Sequence, residues 1–153
     1  MNIHRRTLAL AVAAAAFCLT AQGALAADKI AMVGKSSGNG FFNAAHQGAL
    51  EAAKALGGVE IILASPAKAT AEGQIEVINT LIAQNVKAIV VSANDPDALV
   101  PVLKKAMARG IKVVSFDSGV RKDGRLVHLA PSSNALIGQK LVSLAAEIGR
   151  AHV

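Results

Sequence analysis

The 153-residue sequence has no tryptophan, no tyrosine and four phenylalanines. Nucleobases would therefore find almost no aromatic platforms to stack on. Basic charge does not supply the missing affinity. The formal charge is +6, but residues 27–147 hold 13 Lys and Arg against 10 Asp and Glu, a net of +3. These residues are dispersed, and the largest cluster (Arg121, Lys122, Arg125) sits beside Asp123, so no basic stripe forms and no nucleic-acid partner is expected. Cysteine is nearly absent too: Cys18 is alone, so a disulfide is excluded. His46 falls on a predicted helix, His128 on a short strand and His152 at the far end of the chain. That scatter offers neither a metal-ligand spacing nor a nucleophile–base pair, and no cofactor is expected.

Apolar residues concentrate at the amino terminus. Arg5 and Arg6 precede an apolar run from Leu8 to Leu19, and Ala24-Leu25-Ala26 forms a small-x-small site before Ala27. This is the pattern of a secretory signal peptide over residues 1–26, removed on export to the periplasm. The run is short of the ~20 residues that a membrane span needs, so no membrane insertion is expected after cleavage. Cys18 leaves with the signal, which suits an oxidising compartment. At the other end, residues 148–153 match in one frame the translation of a common sequencing adapter. Native sequence is expected to stop at or just before Glu147, within an amphipathic helix that has no stop signal there.

Between these ends the chain alternates strands and helices. The stretch from Lys29 to Phe42 reads as a buried strand (Ile30, Met32, Val33), a Gly-rich polar loop around Asn39, and an aromatic pair opening a helix. Helical spacing continues through Ala45, Ala49, Ala52 and Leu56 to Gly57-Gly58. Val59–Leu63 is a second strand. Thr70 is a candidate cap for a helix with Ile75, Ile78 and Ile82 on one face, closed near Asn85. Ala88–Val91 is a third strand. Leu99, Val102, Leu103, Ala106 and Met107 mark a third helix, for which Asp95 or Asp97 is the expected cap and whose start Pro101 leaves open by a few residues. Strand Ile111–Phe116, a short extended piece Leu126–Leu129 and a last helix capped by Ser132 or Ser133 complete the order. Repeated strand–helix winding predicts an α/β fold: an open parallel sheet with helices on both faces.

In such a sheet the carboxyl ends of the strands lie side by side and form the usual ligand edge. Here they carry Lys35 and Asn39, then Ser65, then Ser92, Asn94 and Asp95, then Asp117 and Ser118. Hydroxyl, amide, ammonium and carboxylate groups together suit a ligand rich in hydroxyls, and Phe41 and Phe42 offer flat faces to a sugar ring. Asp117 can accept two hydroxyl hydrogens, or it can cap its own turn. Asp95 is equally readable as a helix cap, and Lys35 as a solvated loop lysine. One phenylalanine is expected under the helix and the other facing the cleft. Two nucleotide motifs fail: the first glycine of a P-loop ending in Gly34-Lys35-Ser36 would fall at Lys29, and Gly38-x-Gly40 is followed by Asn43 where a dinucleotide fingerprint needs glycine.

Four segments together resemble the amino-terminal part of a type I periplasmic sugar-binding protein, the secreted component of an ABC importer. They are Gly38 to Phe42, Ala71 to Asn79, Ser92 to Asp97 and Ser115 to Gly119. The likeness runs from about Lys29 to Glu147 and is nearest to the branch of rhamnose-binding and autoinducer-2-binding proteins. It implies ligand contacts from Asn39, Phe41, Phe42 and Asp117, and from Lys35, which matches a ligand-contacting lysine of the autoinducer-2 branch; Asp95 is a candidate contact only from its place at the strand end. Ser118 stands where ribose binders carry arginine, which argues against ribose. The resemblance further implies a non-catalytic monomer, an ABC permease as partner and a chemoreceptor as a second reader of the closed form. Family members close two lobes over the ligand, and residues 27–147 correspond to one incomplete lobe, so weak or no sugar binding is expected of this chain alone.

Two other classes compete. A sugar-responsive transcription factor shares the core fold, but it would carry a helix-turn-helix where the signal peptide lies. A periplasmic α/β enzyme would need a titratable pair at the ligand edge.

Overall fold

The computed structural model describes residues 27–151; the expected signal peptide and His152-Val153 lie outside the described residues. Five parallel strands form one sheet: β1 Asp28–Val33, β2 Val59–Leu63, β3 Ala88–Val91, β4 Lys112–Phe116 and β5 Val127–Leu129, in the order β2-β1-β3-β4-β5. The helices are α1 Gly40–Leu56, α2 Ala71–Ala83, α3 Val100–Ala108 and α4 Asn134–Ala151, with a single 3-10 turn at Lys122–Gly124. The predicted fold class is the observed one.

Period-two alternation divides the strands between two faces. Ala31, Val33, Ile89, Val91 and Val113 are fully buried beneath α2 and α3, against Ile78, Leu81 and Ile82 of α2 and Leu103 and Ala106 of α3. On the opposite face Ile30, Met32, Ile61, Val90, Val114 and Phe116 meet Ala45 and Ala49 of α1, and an apolar groove of about 270 Å³ remains beside them.

Local chemistry fixes most boundaries. The Thr70 hydroxyl accepts from Gly73 N–H at 3.1 Å and starts α2. Asn85 takes φ +52 just beyond its end, a conformation asparagine tolerates better than most residues. Ser133 Oγ accepts from Leu136 N–H at 3.1 Å and starts α4. The third helix departs from expectation: it begins at Val100, downstream of both aspartates. Pro101 lacks an N–H and its ring crowds the carbonyl four residues earlier, so it is held to the first turn and the helix cannot extend upstream. Asp95 caps the preceding turn instead. Helix α4 shows a second departure: its apolar residues are on the surface, with Leu141 62% and Leu144 54% exposed.

Candidate functional site

The carboxyl ends of β1, β3 and β4 are tied together by hydrogen bonds between their loops. Gly34 leaves β1 with no room for a side chain. A Cβ there would sit 2.8 Å from both Phe42 Cγ and Ser65 Oγ. Ser65 Oγ accepts from Gly34 N–H at 3.1 Å, and Ser37 N–H donates to Pro66 O at 2.8 Å, which joins the first and second loops.

The predicted residues occupy this edge in different ways. Lys35 is half-buried; its carbonyl accepts from Asn94 Nδ2 at 2.9 Å, and its ammonium makes no ion pair among the described residues. Asn39 is the N-cap of α1, its Oδ1 accepting from Phe41 N–H at 2.9 Å, so half of its side chain is committed to the helix. Phe41 is 51% exposed, whereas Phe42 is 3% exposed. Their rings meet edge to face at 5.2 Å, and Phe42 meets Phe116 likewise at 6.1 Å. Only Phe41 therefore presents an open face; Phe42 supports it from beneath.

Asp95 Oδ1 accepts from both Asp97 and Ala98 N–H at 2.8 Å. The Ala98 and Asp97 N–H groups hold this exposed carboxyl below its ordinary value. Asp117 takes φ +55, which is uncommon outside glycine. Its Oδ2 accepts from Ser92 Oγ at 2.8 Å and, more weakly, from Ser118 Oγ at 3.4 Å, leaving Oδ1 without a protein donor among the described residues. The carboxylate is thus exposed, pinned by one oxygen, and open at the other.

Three assignments need correction. Ser92 was grouped with the ligand-facing polar residues, yet it is fully buried and acts on Asp117 from below. Gln74 was missed entirely: it is fully buried, with Nε2 donating to Gly34 O at 3.0 Å and Ser92 O at 2.8 Å, and Oε1 accepting from Asn94 N–H at 2.8 Å. A polar residue in register with Ile78, Leu81 and Ile82 was the signal that could have revealed it. Finally, a serine–histidine pair does exist, with Ser115 Oγ and His128 Nδ1 2.9 Å apart. Ser115 is fully buried in β4 and the imidazole lies against Gly119, so the hydroxyl is closed to any substrate. Among the described residues there is no cluster of three potential metal ligands, and no helix is long and apolar enough to cross a membrane.

Residues 30–151 match the family model described as a periplasmic binding protein domain. A D-apiose import binding protein of Actinobacillus succinogenes is 30% identical over 147 residues, which is 94% of this chain and 45% of that protein. This chain therefore spans less than half the length of that curated relative. A solute-binding protein of an ABC transporter from Clostridium phytofermentas, solved with L-rhamnose bound, is similar in structure at TM-score 0.74 and 34% identity, over 80% of this chain and 38% of that one. An autoinducer-2 complex of LsrB from Clostridium saccharobutylicum also superposes at TM-score 0.74, with 29% identity, over 78% of this chain and 36% of that one.

Proposed function

We propose, from the premise that this chain belongs to the periplasmic binding protein domain family, that it contributes one wall of a sugar site in an ABC importer. Its role is to capture a small sugar in the periplasm, after signal-peptide cleavage, for delivery to a permease. The observation that carries this reading is Asp117: an exposed carboxylate with one oxygen pinned by Ser92 and the other unoccupied. A pre-oriented anion of this kind gives charge-assisted bonds to vicinal hydroxyls without first losing side-chain freedom. Phe41 offers its exposed face to the apolar side of a ring, and Lys35 and the free amide end of Asn39 add donors at the same edge. Asp95 joins them through Oδ2, the oxygen its turn leaves free.

A rhamnose-like deoxyhexose is the favoured ligand, supported by the likeness to the L-rhamnose complex. Autoinducer-2 is the second reading, supported by the match of Lys35 to a ligand-contacting lysine of that branch and by the likeness to the LsrB complex. We read the protein as a non-catalytic monomer, as the resemblance implies; among the described residues the serine of the Ser115–His128 pair is fully buried, and no acid–base pair stands at the edge. Calorimetric titration of the protein carried through the full length of its relatives, with L-rhamnose and autoinducer-2 in turn, tests the reading. Binding of either that Asp117→Ala abolishes supports it; binding of neither rejects it. Retention by Lys35→Ala of rhamnose affinity but not autoinducer-2 affinity would select between the ligands.

A further inference from the structure

We propose that Gln74 is a positioning residue that couples the Lys35 backbone to the Asp117 carboxylate at the ligand edge through a buried amide. Each is reached through one intermediate. Gln74 Oε1 accepts from Asn94 N–H, and Asn94 Nδ2 donates to the carbonyl of Lys35. Gln74 Nε2 donates to Ser92 O, and Ser92 Oγ donates to Asp117 Oδ2. A third bond, from Nε2 to Gly34 O, anchors the start of the Lys35 loop itself. Gln74 thereby uses both of its donors and an acceptor, which is near the full capacity of an amide side chain.

Physical chemistry makes this arrangement a constraint rather than a coincidence. Glutamine in a helix stripe otherwise made of Ile78, Leu81 and Ile82 sits in a low-dielectric site, where every unmade hydrogen bond is costly. The three partners belong to two different strand ends, so the bonds are made together only when the β1 and β3 loops hold one mutual position. Ser92, also fully buried, extends that position to β4. Lys35 and Asp117 are far apart in sequence and carry opposite charge, yet their backbone and carboxylate share one fixed reference. This deepens the sugar-binding reading by naming what sets the spacing of its charged contacts, and it rests on that reading only for what the edge receives.

Amide hydrogen exchange and 1H–15N spectra of the protein, with no ligand added, test the coupling. Gln74→Met keeps the volume and removes all three bonds. Expected is a rise of about tenfold or more in exchange at Asn94, with resonance changes in both 35–39 and 117–119, beyond any change at Leu103 and Ala106 in α3. A uniform rise at all amides, or changes confined to one loop, overturns the proposal. If Gln74→Met does not fold, the unmodified protein decides together with two single-arm variants. The Gln74 side-chain protons must exchange about a hundredfold more slowly than those of exposed Gln47 and Gln139. Ser92→Ala must move 117–119 while leaving 35–39 in place, and Asn94→Ala must do the reverse; any other pattern overturns it. Adding L-rhamnose to the unmodified protein is scored separately: its failure to shift any resonance counts against the sugar, and leaves the exchange result intact.

Discussion

The two faces of the sheet are built from the same kinds of residue and finished to different degrees. Beneath α2 and α3, Ala31, Val33, Ile89, Val91 and Val113 are fully buried. On the α1 side Ile30, Val90, Val114 and Phe116 are half-buried, Leu129 is 64% exposed, and a groove of about 270 Å³ stays open. Parallel sheets are ordinarily covered on both faces. Composition therefore does not decide where this fold is tight; the helix that follows each strand does. The polar edge is tied to the finished face through Gln74 of α2, which bonds to the ends of both β1 and β3.

The sharpest way to break this comparison is a matched pair of truncations. Val113→Ala, on the finished face, is expected to cost about 2–3 kcal/mol in urea unfolding, and Val114→Ala, its neighbour on the open face, about 1 kcal/mol or less. Equal costs would erase the distinction. Gly34→Ala comes next. The added methyl meets Phe42 and Ser65 at 2.8 Å, so a loss of about 1–3 kcal/mol is expected, together with a displaced Phe42 ring in the aromatic NMR region. Leu141→Ser on α4, at a residue 62% exposed, should change stability by less than about 0.5 kcal/mol, and a larger loss would mean that α4 packs in solution.

Asp95 gives the smallest expected effect, and it is visible only in acid. Its carboxyl is held below 3.8 by the Ala98 and Asp97 N–H groups. The stability it contributes is therefore present above that ordinary value and lost as the pH falls through the lowered folded one. Asp95→Asn keeps a capping oxygen without the titration, so its unfolding curves should lose part of the decline below pH 4 seen in the parent. Parallel declines would show that the cap charge does not matter.

Much of this was legible in the sequence. The bounds of β2 and β3, the capping role of Thr70 and a serine cap at Ser132 or Ser133 follow from apolar runs and polar punctuation read locally; the structure selects Ser133. The gathering of polar residues at one edge was legible as well, because parallel winding forces strand ends to one side. Other features depend on contacts between distant segments and leave no local pattern. Ser92 reads as one more polar loop residue until its hydroxyl is seen to point at Asp117. The positive φ of Asp117 has no signature in the residues around it. The exposure of Ile137, Leu141 and Leu144 is likewise invisible to periodicity, which reports that a helix has an apolar side and not what meets it.

The central claim is that the edge carrying Lys35, Asn39, Phe41 and Asp117 receives a sugar. It is tested most directly by a 1H–15N titration of this chain with L-rhamnose. With Phe41 and Asp117 exposed, the account predicts shifts confined to residues 35–42 and 117–119. The expected dissociation constant is on the order of millimolar, about 4 kcal/mol of binding. Saturation at micromolar sugar would contradict the one-walled site, and saturable shifts confined to other parts of the chain would contradict the site itself.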